Sequence, residues 1–239
     1  MNAVARPRSF VWLALGMSAF IVIAFTRTFY LRPLSDLPPL SVLMQVHGAV
    51  FTAWLAVFIA QTRLIANRRV DLHMRLGFAS MGLAALVVVM GLLGTAAAVA
   101  SRPVRPTGLT GAQFAAIPIT TITLFGLLVT LGLVFRRRAA LHKRFMVLAM
   151  IAVIAPATSR LIVLLGLRDH SMAVQLLVPS VFVGWCLWTD WRAGRGVHWL
   201  YVVGGLIVVA SWPIRQMVAV SDWWLPIGQW IARVGATLI

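Results

Sequence analysis

The sequence contains no glutamate, one lysine (Lys143), one cysteine (Cys186) and two tyrosines, and its five acidic residues are all aspartates. A single cysteine excludes an intramolecular disulfide and a cysteine-based metal cluster; within an apolar run it reads as a small buried hydrophobe. With no glutamate and scattered aspartates, carboxylate-based hydrolysis and a hard-metal site are disfavoured. Ser-His-Asp, phosphate-loop and H-E-x-x-H patterns are missing as well. Charged residues make up only 11% of the 239 residues, against about 25% in an ordinary soluble domain.

What the chain has instead is apolar length. Hydrophobic residues account for 61%, and the mean hydropathy is +0.94. The net charge of +16 would fit a nucleic-acid partner only on a soluble basic face. Here the arginines stand in short clusters between long apolar runs, so the expected partner is the lipid bilayer and not nucleic acid.

A membrane-crossing helix needs about 20 mostly apolar residues. Such runs lie at 9–30, 41–62, 76–100, 112–135, 144–166, 173–190 and 198–219, which predicts an all-α, polytopic transmembrane bundle of about seven spans. The first run reads as a retained span and not a signal peptide, because Thr26-Arg27-Thr28 stands where small cleavage-site residues would be needed. The connectors are short, with turn residues at Pro33, Pro38, Pro39, Pro103, Pro106, Gly108, Gly194 and Gly196. Residues 1–239 are therefore expected to form one membrane domain. Residues 221–239, with Trp223, Trp224, Trp230 and a central Arg233, are expected to form an interfacial helix and not an eighth span.

Basic residues fall unequally beside alternate span ends. One side holds thirteen: Arg6, Arg8, Arg63, Arg68, Arg69, Arg75, Arg136, Arg137, Arg138, Lys143, Arg144, Arg192 and Arg195. The other holds seven: Arg27, Arg32, Arg102, Arg105, Arg168, Arg215 and Arg233. The positive-inside rule puts the first set, and the N-terminus, in the cytoplasm. An arginine-over-lysine and alanine-rich bias points to a bacterial cytoplasmic (inner) membrane.

Two of the basic connectors repeat each other. Arg68-Arg69-Val70-Asp71-Leu72-His73-Met74-Arg75-Leu76 and Arg137-Arg138-Ala139-Ala140-Leu141-His142-Lys143-Arg144-Phe145 share R-R-x-x-L-H-x-R followed by a large apolar residue, 69 positions apart. Spans 2–3 and 4–5 thus read as two copies of a helical hairpin. His73 and His142 would sit at equal depth, and the repeat could bring them face to face. As neutral imidazoles they suit the axial positions of haem iron, with Arg75 and Arg144 two residues on to pair with propionates. The competing reading makes both histidines interfacial residues and the arginines topology signals.

His47 lies inside the second span, and its repeat position is Ala116. With Phe51, Trp54, Phe58 and Gln61 it forms one helical stripe, suited to a flat cofactor or quinone or else to plain packing. Arg160 lies 18 residues beyond His142, five turns along the fifth span. Arginine facing lipid is costly, so Arg160 either points inward to an acceptor (Asp169, Asp36, a backbone carbonyl or a bound anion) or snorkels to the outer headgroups. On the third span, Gly77, Ser80, Ala84 and Gly91 either permit close helix approach or leave room for a planar ligand. His170 and His198 fall in connectors and read as solvated or interfacial residues and not ligands.

His47-Gly48, Trp54, Gln61, Leu64, Leu72-His73-Met74-Arg75-Leu76-Gly77, His142-Lys143-Arg144-Phe145-Met146 and Arg160-Leu161 resemble a family of bacterial multi-span membrane proteins catalogued as a domain of unknown function, with H-R-x-x-G and H-R-x-M…R-L signatures. The likeness covers about half the chain and implies no activity. More loosely, histidines at adjacent helix ends resemble transmembrane cytochrome b proteins, which place two histidine pairs on four consecutive helices. The fourth span here has no histidine, so the resemblance implies at most one haem, between His73 and His142.

Two function classes follow. The sequence favours a non-enzymatic transport or accessory (assembly) protein, since every motif also has a structural explanation. The alternative is a redox module binding haem b or quinone through His73, His142 and His47, with Arg75, Arg144 and Arg160 balancing ligand charge.

Overall fold

The structure, a computed structural model, describes residues 7–101, 108–194 and 196–238. Arg6, Arg102, Arg105 and Arg195 from the topology count, and Pro103 and Pro106 of one turn, lie outside the described residues.

The described residues form helices α1 (Pro7–Phe25), α2 (Val42–Ala66), α3 (Val70–Ala100), α4 (Gly111–Phe114), α5 (Ala116–Val134), α6 (Ala139–Ala152), α7 (Ala155–Leu164), α8 (Ser171–Arg192), α9 (Trp199–Ala219) and α10 (Leu225–Ala236). A π-helical turn, Thr26–Tyr30, continues α1. Seven helical stretches are long and apolar enough to cross a membrane, as the apolar runs predict. The architecture is an all-helical, multi-pass bundle. Two stretches are composite. The fourth joins α4 to α5, and the fifth is α6 and α7, broken at Val153–Ile154. Pro156 explains the break, because it has no N–H for the Ala152 carbonyl and its ring crowds that turn.

Two spans begin earlier than hydropathy predicts. α3 starts at Val70 and α6 at Ala139, five or six residues before their apolar runs. These first turns are polar but helical, and both begin at the same place in the repeat. The connector before α3 is tight: Arg68 adopts φ 59°, a left-handed conformation in which a Cβ is crowded. Arg68→Gly is expected to stabilise the protein by about 1 kcal/mol, read as a higher thermal midpoint in detergent.

α6 is the central helix. Phe145 and Val147–Ala152 are all buried, which marks a helix surrounded by others. The main apolar cluster gathers around it: Met17 of α1, Trp54 and Phe58 of α2, Val87 of α3, Phe125 of α5, Val183 of α8 and Val208 of α9. A smaller cluster lies at the end opposite the basic connectors, with Ala96, Val99, Ala115, Ala116, Ala219, Trp224 and Ile231. Large apolar side chains such as Trp12, Phe78, Leu206 and Met217 face outward, as a lipid-facing surface requires.

At 12 residues, α10 is too short to cross a bilayer. It packs on α3 and α4, with Gly228 against the Ala112 carbonyl and Gly235 against the Ala96 carbonyl. Its Arg233 is exposed.

Candidate functional site

His73 and His142 meet at the basic end of the bundle. Each is the fourth residue of its helix, and the ring centroids are 6.2 Å apart with planes at 80°. Both rings are half-buried. The repeat explains the meeting: equal offsets from equal helix starts give equal depth.

Their anchors differ. The His142 Nδ1–H donates to the Gly132 carbonyl at 2.8 Å. That carbonyl is free at the end of α5, since the N–H of Arg136 bonds Leu133 instead. A neutral His142 therefore carries a lone pair on Nε2. His73 is held by Gln61 of α2. With the amide oxygen accepting the Gly77 N–H (2.9 Å), its nitrogen donates to His73 Nδ1 (2.6 Å) and to the His73 carbonyl (3.2 Å). A neutral His73 then carries its proton on Nε2. In this arrangement the pair offers one N–H and one lone pair.

The flanking arginines are not equivalent, although the repeat predicts symmetry. Arg75 is exposed, with no ion pair among the described residues. Arg144 is buried, and its charge is already matched by Asp190: Nη2 and Nε reach the same carboxylate oxygen at 2.6 and 3.2 Å, and Nη1 donates to the Ala140 carbonyl at 2.8 Å. Its guanidinium also lies 5.1 Å from the Tyr201 ring centre. A free propionate partner at Arg144 is thus replaced by an internal ion pair. Asp190 was not singled out in the sequence, although an aspartate at the basic end of the sixth span, in a chain with five, is a signal of intramembrane pairing.

His198 is a helix cap. Its Nδ1 accepts the Leu200 N–H at 3.2 Å. Burial, with the nearby Arg144 charge, holds its imidazole below the usual histidine range, which suits an acceptor. His170 is exposed, as expected.

The remaining predicted residues cluster toward the opposite end. His47 donates Nδ1–H to the Met90 carbonyl at 2.9 Å and fills the notch at Gly94. Its ring lies against Phe51, tilted by 30° with centroids 4.5 Å apart. Trp54 and Phe58 of the stripe are core packing: Trp54 meets Phe125 edge-on at 5.3 Å and donates to the Met150 sulfur at 3.1 Å. The small residues of α3 also serve contact, with Gly91 against Ile122 and Gly77 near the Gln61 amide.

Arg160 points inward, but neither Asp169 nor Asp36 answers it. Its Nε donates to Thr28 Oγ1 at 3.2 Å, its Nη1 to the Pro156 carbonyl at 2.9 Å, and the guanidinium lies 3.8 Å from the Phe25 ring centre. The π-helical turn also sets Phe29 against Gly48 and Tyr30 on Thr52 (2.9 Å). Nothing in the sequence marks that turn. Arg160 thus ties the first span to the fifth and does not reach the histidine pair.

Among the described residues no group of three or more metal-binding side chains exists. Two imidazoles alone poorly satisfy a bare ion, which takes about four ligands. They do suit a group that brings its own equatorial donors. Two imidazoles bound through Nε2 to one metal place their ring centres about 6 Å apart, from about 2 Å per metal–nitrogen bond and about 1 Å more to each ring centre. The His73–His142 separation fits that arrangement. His142 also meets the tautomer requirement, while His73 does so once the Gln61 amide turns to accept its Nδ1–H.

No family model, curated protein or solved structure matches the chain.

Proposed function

We propose that the chain is an accessory redox protein of the bacterial cytoplasmic membrane that holds one haem b between His73 and His142. The observation that carries this reading is the adjacent imidazole pair, ring centres 6.2 Å apart, supplied by two copies of one motif. The basic end, with its excess of arginines, lies in the cytoplasm with the N-terminus. Haem, when bound, supplies one-electron transfer.

The chain's own residues have separate tasks in this reading. His142 presents Nε2 because the Gly132 carbonyl fixes its Nδ1 proton. His73 presents Nε2 when the Gln61 amide oxygen accepts a hydrogen bond from its Nδ1–H; the Gly77 N–H given up still has its own helical carbonyl. Arg75 is the guanidinium open to an anionic substituent at this face. Arg144, engaged by Asp190, fixes the rotation of α6 and so the aim of His142. The cytochrome b resemblance is thereby limited to a single pair, and His47 and Arg160 hold the bundle together.

A second reading rests on the Gln61 orientation. With its nitrogen toward His73, the pair is a complementary N–H and lone pair that can share a proton without any cofactor. That arrangement belongs to a non-enzymatic transport or accessory protein. A reduced-minus-oxidised spectrum of the purified protein from haem-sufficient cells separates the two. The haem reading expects about one low-spin, bis-histidine haem per chain. A protein without that signal belongs to the second reading.

A further inference from the structure

Arg215 is an inward charge whose counter-charge is not found within the described chain. It lies on the buried stripe of α9 formed by Tyr201, Gly204, Val208, Trp212, Arg215 and Ala219, and is 2% exposed. Its Nη2 donates to Ser211 Oγ at 2.7 Å, while its buried Nε has no acceptor among the described residues. The hydroxyl of Ser211 is itself committed to the Val208 carbonyl at 2.6 Å.

The other inward arginines are answered. Arg144 has Asp190, and Arg160 has a hydroxyl, a carbonyl and an aromatic face. No aspartate remains for Arg215. Asp71 and Asp190 lie at the basic end, Asp36, Asp169 and Asp222 are exposed in connectors, and the ion pairs among the described residues are Arg69–Asp71 and Arg144–Asp190. A guanidinium does not shed its proton to escape burial.

One other buried polar side chain stands at a similar depth on a neighbouring helix. Val208 belongs to the main apolar cluster and Ala219 to the smaller one, so Arg215 sits between them. Gln175 starts four residues into α8, the antiparallel neighbour of α9, as Arg215 stands four residues from the end of α9. It is 3% exposed; its Nε2 donates to Ser159 Oγ at 2.6 Å on α7, while its Oε1 is buried without a donor.

We infer that Arg215 anchors a site for a small oxyanion, a phosphate or carboxylate group, in the third of the bundle away from the basic connectors. A guanidinium presents Nε and Nη donors in a fork that matches two oxyanion oxygens, and a low-dielectric setting strengthens the pairing. This inference is independent of the histidine pair.

The test compares thermal midpoints of the full-length protein in neutral detergent, for wild type, R215Q and the exposed-arginine control R233Q. Three conditions are used: chloride alone, inorganic phosphate at matched ionic strength, and mixed micelles containing phosphatidylglycerol. With the anion the wild type and R233Q are expected to rise by about 5–10 °C, and R215Q by none of that amount. In chloride alone R215Q should be at least as stable as wild type, because the neutral amide removes an unmatched charge. A rise with phosphatidylglycerol but not phosphate assigns a lipid headgroup; a rise with phosphate assigns a soluble anion. Equal responses of wild type and R215Q, or no response of either, overturn the inference. Should R215Q not accumulate, native mass spectrometry of the wild type and R215K decides: an adduct of phosphate or phosphatidylglycerol weakened in R215K supports the site, and no adduct on either overturns it.

Discussion

Asp190→Ala is expected to lower the thermal midpoint by about 6–20 °C, the largest loss from any single substitution in this chain. The two side chains are 5% and 9% exposed, so solvent does little to screen the Arg144 charge once its partner is gone. Removing one member of a buried pair costs about 3–5 kcal/mol, because the survivor stays charged and dry. At about 2–4 °C per kcal/mol for a chain of this size, the stated range follows. The pair also joins α6 to α8, and the same carboxylate oxygen accepts the His198 N–H at 3.4 Å beside α9. The sign of the double substitution is diagnostic. Arg144→Met with Asp190→Leu replaces the pair by apolar groups and should recover most of the loss. A double variant as unstable as Asp190→Ala would mean that Asp190 acts through something other than Arg144.

Gly235→Val is the second large effect. A Cβ at Gly235 would fall on the Ala96 carbonyl, which is helix backbone and cannot move aside as a flexible side chain would. Accommodation within packed structure costs about 1–3 kcal/mol, so α10 is expected to leave α3 instead. Ile231→Cys provides the readout. Residue 231 is 8% exposed on the docked face, and the native Cys186 is 1% exposed and thus inert. Thiol labelling of the introduced cysteine should be slow alone and at least about tenfold faster when combined with Gly235→Val, a free-energy difference of about 1.4 kcal/mol or more. Equal labelling rates would show that α10 is not held by this close approach.

The seven spans were legible because crossing a bilayer demands about 20 apolar residues in a row, a constraint carried by the sequence itself. The polar first turns of α3 and α6 were not, since hydropathy marks where lipid begins and not where helical hydrogen bonding begins. The meeting of His73 and His142 could be anticipated from the repeat alone. Their different anchors could not: the residue matching Gly132 is Arg63, yet His73 takes the side chain of Gln61, two positions away. Membrane energetics correctly send Arg160 inward, but its partners Phe25, Thr28 and Pro156 depend on a π-helical turn and a helix break. The stripe from His47 to Gln61 was a true helix face. Periodicity identifies such a face without saying whether Phe125, Met150 or a cofactor lies across from it.

The central claim is that His142 and His73 hold a haem, and one spectroscopic comparison addresses it directly. Wild type, His142→Ala and His198→Ala are purified from haem-sufficient cells, and their reduced-minus-oxidised spectra are recorded per mole of protein. The account predicts a bis-histidine haem signal in the wild type, its loss in His142→Ala, and its retention in His198→Ala, whose imidazole only caps α9. Equal haem in all three, or none in the wild type, would contradict it.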